Sequence, residues 1–321
     1  MAARDVSSRT DDEMKTSHPE PGRCAVVALA ALLLLLTTGA SKAGGGKLLL
    51  TGGVSTIDGA AGGGLSPWAL TGSYATQGKW GATAYATGLK TQDYAFKGYG
   101  AALAYGDRVE FSLARQDLDT KNNLAPLGLA GLHLKQNIVG VKLRVLGDAV
   151  LDSDSWMPQV AVGLLSKHAD PGALKPTLTG PLGASTSGTE FYLSATKLFL
   201  AQGLLVNVTL RAGKANQGGL LGFGGAQESG SRVQPEVSIA WLLSRQLAIG
   251  AEYRAKPDHL NRSVLGAGAL KEDDWSDIFV AWAPSKNLSL TLAWVDLGQI
   301  LPAITGNRNQ RGFYLSGQVA F

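Results

Sequence analysis

Gly312-Phe313-Tyr314-Leu315-Ser316-Gly317-Gln318-Val319-Ala320-Phe321 closes the sequence, and its spacing decides how the rest is read. Phe313, Leu315, Gly317, Val319 and Phe321 fall on one face of an extended chain, while Tyr314, Ser316 and Gln318 fall on the other. Side chains alternate across a strand with a period of two, so this spacing predicts a β-strand with one apolar and one polar face.

The same period runs upstream. Strands are predicted near 47–57, 68–76, 80–90, 97–105, 108–117, 137–146, 158–167, 189–200, 204–213, 232–243, 247–256, 275–283, 288–296 and 312–321. A tilted strand that crosses a bilayer needs about 9–11 residues, which these segments supply. Leu247, Ile249, Ala251 and Tyr253 share one face, against Glu252, Arg254 and Lys256 on the other. Val139, Val141, Leu143 and Val145 oppose Lys142 and Arg144 in the same way. An Arg or Lys turned toward lipid near the midplane costs about 2–4 kcal/mol, so a one-residue slip is heavily penalised and the register is fixed.

Composition agrees. Charged residues make up 17% of the chain, against about 25% in ordinary soluble domains. Mean hydropathy is only +0.06, too low for a bundle of apolar helices. Predicted connections alternate between short ones (106–107, 201–203, 244–246, 284–287) and long ones (118–136, 168–188, 214–231, 257–274, 297–311). Short turns at one end and long loops at the other belong to an all-β, transmembrane, antiparallel up-and-down barrel. Counting back from the last strand gives about 14 strands, an even number as such barrels require. The element that reads two ways, as first strand or as plug, is 44–66, whose Gly59, Gly62, Gly63 and Gly64 accept almost any backbone conformation. If that segment threads the lumen as a plug, 12 strands remain and 67–321 forms the wall.

Ahead of the strands, Ala25 to Ala40 is a continuous run of apolar or small residues, followed by Ser41-Lys42-Ala43. The run is short for a spanning helix, which needs about 20 residues, and reads as a secretory signal cleaved after Ala43. Residues 1–43 are then the signal peptide, with Met14 the more ordinary start, and an uncleaved anchor is the alternative. The lone cysteine, Cys24, goes with it, so the exported chain gains nothing from disulfides. Removal takes five basic and five acidic residues, and the net charge stays at +4.

The terminal strand, with Phe321 at its end, resembles the assembly signal of outer-membrane barrels. That resemblance implies recognition by the barrel-assembly machinery and a place in the outer membrane of a Gram-negative bacterium, with lipid as the outer partner. Several further stretches carry a family resemblance. They are Thr51-Gly52-Gly53-Val54, Gly59 to Leu65, Pro67-Trp68-Ala69, Leu220 to Gly225, Gly250 to Asp258, and Asn309 to Gly312. Together they resemble the proteobacterial "domain of unknown function 3034" proteins over roughly 47–321. The resemblance implies an outer-membrane barrel and supplies no ligand.

The chain carries little that reads as chemistry. His133, His168 and His259 are scattered and read as loop or strand-end residues, and no metal site or cofactor is expected. Glu272-Asp273-Asp274 offers carboxylate oxygens that suit a hard cation, though a solvated loop explains it more simply. Gly218 to Gly225 lacks the Lys-Ser/Thr of a phosphate loop and reads as a flexible loop. No spacing of Ser, His and Asp singles out a triad, so an outer-membrane hydrolase ranks last and no nucleic-acid partner is indicated. Alternation places Glu110, Lys142, Arg144, Arg211, Arg232, Glu236, Glu252, Arg254, Lys256 and Asp277 toward the lumen. A charged lining sets ion preference, and six basic against four acidic residues lean toward anions. The leading expectation is a passive, porin-like channel for small polar or anionic solutes. The alternative is a closed structural or interaction barrel whose charges pair across strands and whose lumen holds the N-terminal segment.

Overall fold

The computed structural model describes residues 50, 54–76, 78–148 and 156–321. The expected signal peptide, its cleavage at Ala43 and the start of the 44–66 segment lie outside the described residues.

A single antiparallel sheet closes on itself. Its wall runs through β1 (Trp80–Thr91), β2 (Ala95–Tyr105), β3 (Val109–Asp119), β4 (His133–Leu146), β5 (Gln159–Asp170), β6 (Ser187–Phe199), β7 (Leu204–Gly213), β8 (Arg232–Leu242) and β9 (Leu247–Arg254). After a small hairpin of β10 (Arg262–Ser263) and β11 (Gly266–Ala267), it resumes with β12 (Trp275–Ser285), β13 (Leu288–Gln299) and β14 (Asn309–Ala320). Wall neighbours follow chain order, and β14 returns to pair with β1 from Thr83↔Ala320 to Thr91↔Gly312. The wall therefore has 12 strands, the smaller of the two expected counts. With β1 and β14 bonded directly, no gap is left for strands at 47–57 and 68–76, and those two expectations fail.

The reason is visible in burial. A wall strand keeps one face outward, but Ser66, Trp68, Leu70, Thr71, Ser73 and Tyr74 are all buried, whichever face their parity assigns them. The alternation in 68–76 belongs to a chain surrounded on every side. Residues 54–76 fold within the lumen as an irregular plug, fastened to itself by bridges at Ser55↔Ala61 and Gly62↔Pro67. Two of its glycines are required by close approach. Gly59 has φ 96° and faces Ala114, and a Cβ on Gly63 would fall 2.1 Å from Glu252 Oε1.

The wall itself follows the period of two. Short turns at 106–108, 200–203, 243–246 and 286–287 mark one end, and loops 120–132, 171–186, 214–231, 255–274 and 300–308 mark the other. Outward faces carry Leu103, Phe111, Leu113, Val139, Leu193, Ile239, Ile278 and Leu315, all exposed. Exposed aromatics form two rows: Trp80, Tyr105, Trp241 and Trp282 toward the short-turn end, and Tyr253, Trp294 and Phe313 toward the long-loop end. In the terminal strand Phe313 and Leu315 point outward, Gly317, Val319 and Phe321 are half-buried on the same face, and Tyr314, Ser316 and Gln318 are buried within, as the spacing predicted. The carbonyl of Phe321 accepts from the amides of Tyr74 and Ala82, tying the C-terminus to both plug and wall.

Candidate functional site

Most of the lumen's ionic chemistry is directed at the plug. An irregular segment cannot satisfy its own N–H and C=O groups as a helix or strand does, and each one left unpaired away from water is costly. Here the wall satisfies them. Glu110 Oε1 accepts from the Ala61 amide at 3.0 Å and Oε2 from the Gly72 amide at 2.6 Å. Lys142 Nζ donates to the Ala61 and Leu70 carbonyls, both at 2.8 Å, and lies 3.2 Å from Glu110. Glu252 Oε2 takes the Leu65 amide at 2.8 Å. The Pro67 carbonyl accepts from Ser194, Asn207 and Thr209. Gln159 donates to the Ala69 carbonyl, Gln116 to that of Ile57, and the Trp68 indole N–H to Ser238 Oγ.

One plug side chain joins the wall's charges. Asp58 is reached by Lys167 at 2.9 Å, Arg254 at 3.1 Å and Arg211 at 3.3 Å. Lys167 and Arg211 also hold Glu190, at 2.7 and 3.2 Å. Glu236 bridges Arg211 at 2.6 Å and Arg254 at 3.3 Å. The cluster balances the three cations Lys167, Arg211 and Arg254 against the three carboxylates of Asp58, Glu190 and Glu236, all buried. A lone charge taken out of water is costly by several kcal/mol, and such a group persists only when paired and hydrogen-bonded. Asp58 is therefore the keystone: without it, three cations share two carboxylates.

Of the ten lumen-facing residues read from alternation, Glu110, Lys142, Arg211, Glu236, Glu252, Arg254 and Asp277 are buried inside. Lys256 lies past the end of β9 with a buried side chain, 2.9 Å from Glu272. Arg144 is partly exposed near the short-turn end, paired with Asp107 at 2.7 Å. Arg232 corrects the expectation: it opens β8 at the long-loop rim, where its side chain is 47% exposed and pairs with Glu228 instead of facing the lumen. Glu252 and Asp277 are direct cross-strand neighbours, and Asp277 Oδ1 has no hydrogen-bond partner.

Other expectations are also corrected. The acidic run does not converge on one point. Glu272 is buried against Lys256, Asp273 pairs with Lys271, and Asp274 accepts from Tyr253 and the Lys256 amide. The glycine-rich loop is no free flexible loop, since Asn216 to Phe223 is buried and Gly218 O accepts from Gln136 and Lys167. His259 is buried too, with neither ring nitrogen hydrogen-bonded and Nδ1 3.9 Å from Glu228, while His133 and His168 contact Asp117 and Ser187 as strand-end residues can.

Sequence reasoning missed Asp58, Lys167 and Glu190. Lys167 keeps phase with Ala161 and Leu165, and Glu190 with Tyr192 and Ser194, all inward. The signal was present, but apolar inward neighbours blurred the polar face. Asp58 was hidden in a segment read only for its glycines.

Residues 51–318 match the family described as "Protein of unknown function (DUF3034)". The chain belongs to that family. No curated protein matches it. Among solved structures, it is similar to the NanC porin at 8% identity, covering 74% of this chain and 98% of that one, with a TM-score of 0.47. The COG4313 outer membrane channel from Pseudomonas putida F1 is 10% identical, covering 76% and 95%, with a TM-score of 0.44. Outer membrane phospholipase A from Escherichia coli is 11% identical, covering 74% and 92%, with a TM-score of 0.40. At these distances the likeness carries no function across. In this DUF3034 chain the barrel is established by its own strand pairing.

Proposed function

We propose that this DUF3034 protein is an outer-membrane barrel held shut by its own residues 54–76, and that it passes small polar solutes only when that segment is displaced. The membrane setting is supported by the exposed apolar outer face, bounded by two rows of aromatics. Large contiguous apolar surface is rare on proteins that live in water, and aromatic girdles suit the two bilayer interfaces. The single observation that carries the closed state is the plug, whose amides and carbonyls are capped by side chains from most of the wall. The balanced central cluster argues against the anion-selective open pore expected from a count of six bases to four acids.

A purely structural filling would be cheaper with apolar side chains, since buried ion pairs are weak sources of stability. A charged, hydroxyl-lined interior remains compatible with water once the plug leaves, and that favours a gated passage over an inert scaffold. The test is planar-bilayer recording. Intact protein should show no steady conductance, and a chain lacking 54–76 should give discrete steps. Porin-like current from the intact protein would overturn the closed state. A folded, plug-deleted barrel without current would leave the scaffold reading.

A further inference from the structure

Toward the long-loop end the outer face changes character around the barrel. On β9, β13 and β14 the apolar band ends in aromatics, Tyr253, Trp294 and Phe313. On β1 to β4 it ends in cations. Lys90, Lys97, Arg115 and Lys135 keep phase with Gly88, Leu103, Leu113 and Val139, so all four stand on the outer face. The first three are exposed and Lys135 is half-buried. Among the described residues of β5 to β13, no outward position toward this end carries Lys or Arg, and Arg232 at the rim is already held by Glu228.

Register brings the four together. Lys90 stands opposite Ala95, two residues from Lys97 along β2. Lys97 stands opposite Asp117, two residues from Arg115 along β3, and Asp117 stands opposite Lys135 on β4. Diagonal neighbours of this kind have Cβ atoms about 7–8 Å apart. The patch spans three strand spacings, about 14 Å. Nearby acids are engaged elsewhere. Asp117, the carboxylate inside the patch, lies 2.6 Å from His133 Nδ1. Asp119 accepts from the Lys121 amide at 2.7 Å, Asp296 pairs with Arg311 at 2.7 Å, and Asp93 pairs with Arg308 at 2.7 Å. Lys90, Lys97, Arg115 and Lys135 have no side-chain hydrogen bond or ion pair among the described residues.

Four such cations in open water would need no partner. At the edge of an apolar face they stand where headgroups lie, and phosphate is the headgroup element that neutralises them and takes the forked donors of arginine. We infer that the outer face of β1 to β4 binds a membrane lipid whose headgroup carries two phosphates. One phosphate lies between Lys90 and Lys97 and the other between Arg115 and Lys135, with the acyl chains along Leu103, Leu113 and Val139. A single phosphate reaches two diagonal neighbours but not all four cations. The inference rests on the membrane setting proposed above, and not on displacement of the plug.

The test uses the full chain folded in dodecyl maltoside, titrated with lipid and followed by native mass spectrometry. Diphosphoryl lipid A should be retained more tightly than monophosphoryl lipid A, and both more tightly than phosphatidylcholine. Lys97→Gln with Arg115→Gln should weaken retention of the diphosphoryl form about thirtyfold, at roughly fivefold per basic residue beside a charged headgroup. Lys97→Arg with Arg115→Lys keeps the charge and should keep the binding. Lys79→Gln with Arg245→Gln removes as much charge from exposed positions at the short-turn end and should leave retention unchanged. Lys90→Gln with Lys135→Gln serves if the first pair does not give a heat-modifiable barrel. Millimolar inorganic phosphate should not displace the lipid. Equal retention by the wild type and the glutamine pair, equal weakening in the short-turn pair, indifference to the second phosphate, or displacement by inorganic phosphate would overturn the assignment. The readout needs no current, so its failure is distinct from failure of the gating proposal. Retention of all three lipids without preference would overturn this site and leave the membrane setting intact.

Discussion

The two faces of the wall strands answer to different partners. Outward, Leu113, Val139 and Ile239 meet whatever surrounds the barrel, a medium with no shape of its own, and any apolar side chain serves. Inward, Glu110, Lys142 and Arg254 meet one particular chain with amides and carbonyls at fixed points. The outer face is specified by class and the inner face by identity. A period of two can reveal the first but says nothing of what the second is built to hold.

The largest break in that comparison should come from Asp58→Ala. Removing one member of a buried ionic cluster leaves the others uncompensated and destabilises by about 3–5 kcal/mol. Equilibrium unfolding in lipid vesicles measures it. A loss below about 1 kcal/mol, the usual worth of an exposed pair, would mean that Lys167, Arg211 and Arg254 are wetted in the native state and that the plug is loosely held. On the outer face Leu113→Arg places a charge near the middle of β3 and should cost about 2–4 kcal/mol, whereas Leu113→Ile should be nearly neutral. If arginine there is tolerated in vesicles, the outer face does not meet lipid.

Trp68→Phe is a finer probe of the inner face. It keeps an aromatic ring, smaller than the indole, and removes the N–H to Ser238. Ser238 still donates to Glu252, so the loss is one hydrogen bond, worth about 0.5–1.5 kcal/mol, together with the packing of the missing ring atoms. Faster amide exchange across 54–76, with the wall unchanged, is the expected signature. Uniform exchange would mean that plug and wall open together.

The same contrast explains what the sequence made legible. Strand alternation, closure by the terminal strand and seven of ten lumen charges could be read because they follow a period. The plug could be named as an alternative because Gly59, Gly62, Gly63 and Gly64 break that period, yet its extent to residue 76 could not. Trp68-Ala69-Leu70-Thr71 imitates a wall strand, and it takes the direct β1–β14 pairing and the burial of both its faces to exclude it. Arg232 kept the right parity and failed on height, because parity carries no information about where the rim lies. Asp58 had no periodic neighbour to give it away, since its role depends on five wall strands meeting around it.

At the long-loop rim the two regimes meet, and there the effects should be smallest. Asp273 links loop 255–274 to the end of β13. It accepts from the Gln299 amide at 2.9 Å and pairs with Lys271 at 2.8 Å. Burial raises its carboxyl, but the hydrogen bonds from Lys271 and Gln299 outweigh this and hold it below the usual aspartate value. A folded-state value below the unfolded one means that this contribution is complete above the unfolded value and is lost as pH falls through the folded one. Because Lys271 is half exposed, the total should stay under about 1 kcal/mol and shrink in salt. The protection factor of the Gln299 amide, its exchange corrected for the hydroxide-catalysed intrinsic rate, should therefore fall on acidification. In Asp273→Asn that pH dependence should disappear, while exchange at mid-strand amides such as Ala293 stays as it was. A Gln299 amide that keeps its acid sensitivity in the variant would show that the rim is fastened by something other than this carboxylate.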